Sequence, residues 1–142
     1  MKMLPKTNDA AVIRTEFENQ QIWETICELI RAPVREGRED FYAYVEFVDD
    51  GEFRNLTKEQ LLERVPSDYE HSFLLVVDSV ATQHPDFPIL VVDLYHDRGR
   101  SFRAVPSQIQ GIENNLSISN MDFFEFADNA GEDGVFRGFP RS

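Results

Sequence analysis

Apolar and polar positions in this chain fall into short blocks whose period changes several times, and those changes predict the elements. Residues 11–15, AVIRT, are β-branched and read as a first strand. In QQIWETICELIRA, Ile22, Trp23, Ile26, Cys27 and Ile30 recur at helical spacing while Glu24 and Glu28 stay off the stripe. A helix is expected there, with Asn19 as its N-cap and Pro33 as its stop. VREGREDF is charged and reads as a loop. FYAYVEFVDD follows as a second strand, with Tyr42, Tyr44 and Glu46 alternating against Ala43, Val45 and Phe47. LTKEQLLERVP predicts a second helix: Thr57 and Gln60 fit a capping box, Leu56 and Leu61 fit a hydrophobic staple, and Val65-Pro66 ends it.

The middle of the chain changes character. SFLLVVD and ILVVDLY are apolar at nearly every position, the pattern of central strands covered on both faces. HDRGR reads as a turn with Gly99 at positive φ, which leads into SFRAV as a fifth strand and makes a hairpin. Beyond Pro106, SQIQGIENN reads as a short helical piece and NMDFFEFADNA as another, capped by Ser119 or Asn120. GEDGVFRGFPRS is Gly-rich and reads as irregular, pinned to the core by Phe136 and Phe139. The order β-α-β-α-β-β-β-α-α predicts one α/β domain over residues 1–142, a sandwich with a mixed five-stranded sheet.

Composition supports a folded core. Twelve Phe, four Tyr and one Trp supply the burial that disordered chains lack. The one cysteine, Cys27, has no partner within the chain, which fits a reducing compartment. The N-terminal segment lacks an apolar stretch of signal-peptide length, and no run reaches a membrane span, so a cytoplasmic protein is expected. Charge adds a sharper point. The formal net charge is −12, which argues against binding a nucleic-acid backbone. Between Arg103 and Arg137 there is no Lys or Arg, yet Glu113, Asp122, Glu125, Asp128, Glu132 and Asp133 all fall there. A negative surface field is expected over that segment.

Candidate chemistry is sparse. Three strands end on acids: Asp49 and Asp50, Asp78, and Asp93. At the carboxyl ends of parallel strands such carboxylates could hold Mg²⁺. Between Asp78 and Ile89, however, the chain offers ten residues with two prolines, a poor parallel crossover. If those strands are antiparallel, Asp78 and Asp93 lie at opposite ends of the sheet. The favoured reading is that each aspartate starts a turn. His71, His84 and His96 lack ligand spacing, and Cys27 shares the apolar stripe of Ile26 and Ile30, so core packing accounts for it. NNLSISN lacks the context of a nucleophile elbow, and DNAGEDG fails the calcium-loop pattern at Ala130. No cofactor is expected.

Long specific strings carry a resemblance: LPKTNDAAVIRTEF, AYVEFVDD, HSFLLVVD, FPILVVDLY, FRAVPSQIQGIENNLSISNMDFFEFAD and EDGVFRGF. Over Leu4 to Phe139 the chain resembles an uncharacterised bacterial family, domain of unknown function number 6924, common in actinobacteria; REGRED is a region of departure. The resemblance implies no reaction and no catalytic residues.

The leading expectation is a small acidic interaction module, immunity- or antitoxin-like, that covers a basic protein partner with Asp122, Glu125, Asp128, Glu132 and Asp133. Neither nucleic acid nor a membrane is expected as partner, and the sequence sets no oligomeric state. An enzyme is the less favoured alternative; it would use divalent metal or carboxylate chemistry at Asp49, Asp50, Asp78 or Asp93. A plain structural or dimeric subunit is the third reading.

Overall fold

The structure, a computed structural model, describes residues 1–140. Strand β1 (Ala10–Arg14) leads into helix α1 (Gln20–Arg31), then β2 (Val34–Glu36), β3 (Glu39–Phe41) and β4 (Val45–Val48). Helix α2 (Lys58–Glu63) precedes β5 (Phe73–Val77), α3 (Ser79–Gln83), β6 (Ile89–Asp93) and β7 (Ser101–Ala104). The chain continues through α4 (Ile109–Ser117), α5 (Phe123–Ala127) and β8 (Val135–Phe136).

The expected single five-stranded sheet is corrected. Six strands form one mixed sheet in the order β4-β1-β5-β6-β7-β8, and β2 pairs with β3 in a separate two-stranded sheet. The expected order β-α-β-α-β-β-β-α-α fails in four places, each with a physical reason. Helix α3 stands between β5 and β6, where no helix was expected, because the Asp78 side chain caps its start. VREGREDF is a hairpin, turned at Gly37 with φ +62°. FYAYVEFVDD is two strands, because residues 42–44 leave the ladder and bond to α4. There the Glu113 carboxylate accepts the Tyr44 N–H at 2.7 Å, and the Asn114 amide donates to the Tyr42 carbonyl at 2.9 Å. The C-terminal segment is pinned at Phe136 as expected, but Val135 and Phe136 also add a sixth strand beside β7.

The ladder is parallel from β4 through β1 to β5, then antiparallel from β5 through β6 to β7. Both faces of this sheet are covered. On one, α1, α4 and α5 pack Trp23, Ile26, Ile112, Phe123 and Phe126 against Val12, Leu75, Val91 and Phe102. On the other, Leu4, Phe53 and Leu61 pack against Ile13, Leu74, Val76 and Val92. This three-layer arrangement explains why β5 is buried at all five positions. The predicted caps of the first two helices are present: Asn19 Oδ1 accepts from Ile22, and Thr57 and Gln60 complete the box. Asp122 stands at the N-cap of α5, where Ser119 or Asn120 was expected.

Candidate functional site

The four strand-end aspartates of the enzymatic reading do not converge. Because β5 and β6 are antiparallel with Phe73 opposite Asp93, Asp78 lies five residues beyond that register, roughly 17 Å along the strand. Asp93 is buried, and its two oxygens accept the N–H groups of Tyr95 and Asp97 at 2.9 Å each. It shapes the loop to Gly99, the turn that the sequence assigned to it. Asp78 caps α3 through Ala81 and takes both terminal nitrogens of Arg103, at 2.9 and 2.7 Å. Asp49 and Asp50 share Asp78's end of the sheet but face other partners, Arg14 and Lys2. Among the described residues, no group of three or more His, Cys, Asp or Glu is placed to hold a metal ion.

The acidic C-terminal segment is more organised than its charge suggested. Glu113, counted there as a surface acid, is buried against Tyr44. Glu125 accepts the backbone N–H of Asp122 at 2.8 Å and so serves the start of α5. Asp128 meets Arg100 at 2.6 Å. Asp133 meets Arg137, and Arg137 also reaches Asp86. The Asp133 carboxyl is held below its usual range, first by the Val135 N–H and then by the Arg137 guanidinium. Glu132 is exposed and makes no side-chain hydrogen bond or ion pair among the described residues. The two arginines come from β7's approach and the C-terminal segment, so they soften the field that the sequence predicts without cancelling it.

Beside Asp122 the molecule opens a cleft of about 270 Å³, walled by Ser72, Asp93, Tyr95, His96, Met121 and Asp122 among others. His96 approaches Asp122 at 3.4 Å. Large apolar groups stand in solvent around it: Tyr95 is 72% exposed, Ile118 76% and Phe124 51%. Tyr95 lines the cleft itself, and Ile118 and Phe124 are chain neighbours of lining residues Ser119 and Phe123. Sequence reasoning missed this pairing of apolar and acidic surface. Nothing local in the sequence says that the loop after β6 lands beside α5.

The opposite end of the sheet holds a buried guanidinium. Arg14, 2% exposed, ends β1; it donates to the Glu16 carbonyl at 2.8 Å, to Gln20 at 2.8 Å and to Asp49 at 3.3 Å. It lies over the Phe17 ring at 4.4 Å and the Trp23 ring at 5.2 Å. Nearby, Cys27 is buried, and that burial pushes its thiol up to about 11, so it is no nucleophile near neutral pH. No sequence motif announces Arg14, since a lone arginine closing AVIRT looks like an ordinary strand-end charge.

Residues 9–139 match the family described as Domain of unknown function (DUF6924). Comparison with curated proteins and with solved structures gives no match to either.

Proposed function

We propose that this chain, which belongs to the DUF6924 family, works as a protein-interaction module whose docking surface is the α4–α5 face and whose partner is a basic protein. One observation carries the reading. Tyr95, Ile118 and Phe124 are exposed around a cleft edged by Asp122, close in sequence to Glu125, Asp128, Glu132 and Asp133. Exposed aromatic and aliphatic groups beside the Asp122 carboxylate match the anatomy of recognition surfaces, with an apolar centre and polar groups at its edge. The acids add selectivity for a positive partner and speed the encounter. Their present ion pairs are exposed, and exposed pairs contribute only about 0–1 kcal/mol, so a partner can exchange them readily. An immunity- or antitoxin-type role, covering a basic toxin in the cytoplasm, is the biological form of this reading.

Site-specific crosslinking tests it. A photoreactive residue placed at Ile118 or at Phe124 should capture one and the same product from the source lysate at low salt. The same probe at Val80, which is exposed on α3 at the far end of the sheet, should capture nothing above background. Glu132→Lys should reduce the capture. Equal crosslinking at Val80 would overturn the assignment of the surface. A captured product of twice the chain mass would replace the basic partner with a second copy.

A further inference from the structure

A second cavity lies at the other end of the sheet, and its wall contains Glu16, which carries one of two buried side-chain atoms, with Arg64 Nε, that have no hydrogen-bond partner among the described residues. The cavity measures about 500 Å³ and is lined by Glu16, Glu18, Asn19, Ile22, Thr82 and Gln83. It sits past the carboxyl ends of β1 and β5, parallel neighbours, between the helices that follow them. Open α/β sheets place ligands at that end of parallel strands.

Glu16 is 9% exposed. Its Oε1 accepts the Glu18 N–H at 2.6 Å, whereas its Oε2 is buried without a hydrogen-bond partner among the described residues. A buried polar atom left unpaired is costly and uncommon in folded proteins. The nearest cations do not answer it. Arg14 directs its side-chain donors to the Glu16 carbonyl, Gln20 and Asp49, and Arg54 stacks over Phe17 at 5.0 Å. Among the described residues no Lys or Arg lines the cavity, and its wall carries two carboxylates. Around Glu16 stand further polar groups: the Thr82 hydroxyl, which donates to Ser79 and retains acceptor capacity, and the exposed Gln83 amide.

We propose that this cavity is a binding site for a guanidinium group, with the Glu16 carboxylate as its anion. A guanidinium supplies several N–H donors in a planar fork that matches a carboxylate. It is also more weakly hydrated than an ammonium, so seating it beside Ile22 sheds less water structure. The site is separate from the α4–α5 face, and neither assignment depends on the other.

The test uses the intact chain with methylguanidinium as probe, read by amide chemical shifts in two-dimensional NMR. Saturable shifts should be confined to residues 16–22 and 82–83. n-Butylammonium should bind at least threefold more weakly, and tetramethylammonium, which has no N–H, should give no saturable shift. The tripeptide Gly-Arg-Gly distinguishes the source of the group: binding as tight as that of methylguanidinium assigns the site to an arginine side chain, and weaker binding to a small free cation. Glu16→Gln should abolish saturation.

A tethered control guards against an unfolded variant. Gln83→Arg should raise the melting temperature and block methylguanidinium, and it should leave the melting temperature unchanged in the Glu16→Gln background. Shifts that persist in Glu16→Gln, ammonium binding equal to guanidinium, or a Glu16 side-chain carbon shift typical of the neutral acid at pH 7 would each overturn the proposal.

Discussion

Asp78 shows how much one side chain can hold together. It caps α3, and through Arg103 it ties the end of β5 to β7 across β6, while Arg103 also donates to the Pro88 carbonyl. Asp78→Ala removes the cap and the ion pair together and should destabilise by about 1–3 kcal/mol in urea melts. Asp78→Asn keeps the cap acceptor and should recover at least half of that loss. The turn role of Asp93 was legible in the sequence, because an aspartate that bonds to N–H groups two to four residues ahead acts locally; Asp78 was expected to start a turn too, but it caps the helix α3 instead. Arg103 was not legible as its partner, being twenty-five positions away and placed only by strand pairing. Cys27 makes a second residue-scale prediction. Its thiol is raised in the fold to about 11 from 9.0, mainly by burial, so the folded state keeps a proton that the unfolded chain has lost. Stability should therefore be unaffected by this group below about pH 9 and should fall by about 1.4 kcal/mol per pH unit between the two values. Cys27→Ser, compared by denaturant titration at pH 8 and pH 10.5, should show a shallower decline. Native alkylation at pH 8 should run at least tenfold slower than in urea.

Among elements, legibility follows the range of the interactions that set each one. Helices α1 and α2 could be read because stripe, cap and stop all lie within the segment: Asn19, Thr57, Gln60 and the prolines after them. Strand β8 could not, since two residues carry no periodicity and pair only because β7 offers an open edge. The break between β3 and β4 was hidden for a related reason. Alternation in FYAYVEFV fits one long strand, yet α4 competes for its backbone through Glu113 and Asn114. Glu113→Ala should leave the Tyr44 N–H without its acceptor at a half-covered site, at a cost of about 1–3 kcal/mol. Hydrogen exchange at the Tyr44 amide should accelerate in that variant, and unchanged protection there would refute the assigned contact. The aromatic packing of the last elements gives a larger expected effect. Phe126 meets Phe136 and Phe139 at 5.4 Å each, and it is buried. Phe126→Ala should cost about 3–5 kcal/mol and release β8 from the sheet.

Across the whole molecule, the change from parallel to antiparallel pairing at β5 divides the sheet into two kinds of construction. The strands β4, β1 and β5 are joined by long connections through helices, whereas β6 and β7 are joined by a short turn at Gly99. The charge reading also resolves differently at this scale. A base-free stretch in the sequence is not a base-free surface, because Arg100 and Arg137 arrive from outside it. Asp128 and Asp133 are each paired with an arginine, so binding to the proposed basic partner should weaken less than tenfold between 50 and 150 mM salt, measured by titration calorimetry. The parallel seating of β8 has a consequence for biosynthesis. The strand that completes the sheet is the last in chain order among the described residues, made after β1 to β7. A nascent chain emerging from the ribosome must hold β7 as an unpaired margin, with Phe102 lacking Phe136, until residues 135 and 136 have cleared the exit tunnel. Until β8 has been made, the outer edge of β7 stays open, and no contact elsewhere in the sheet can close it.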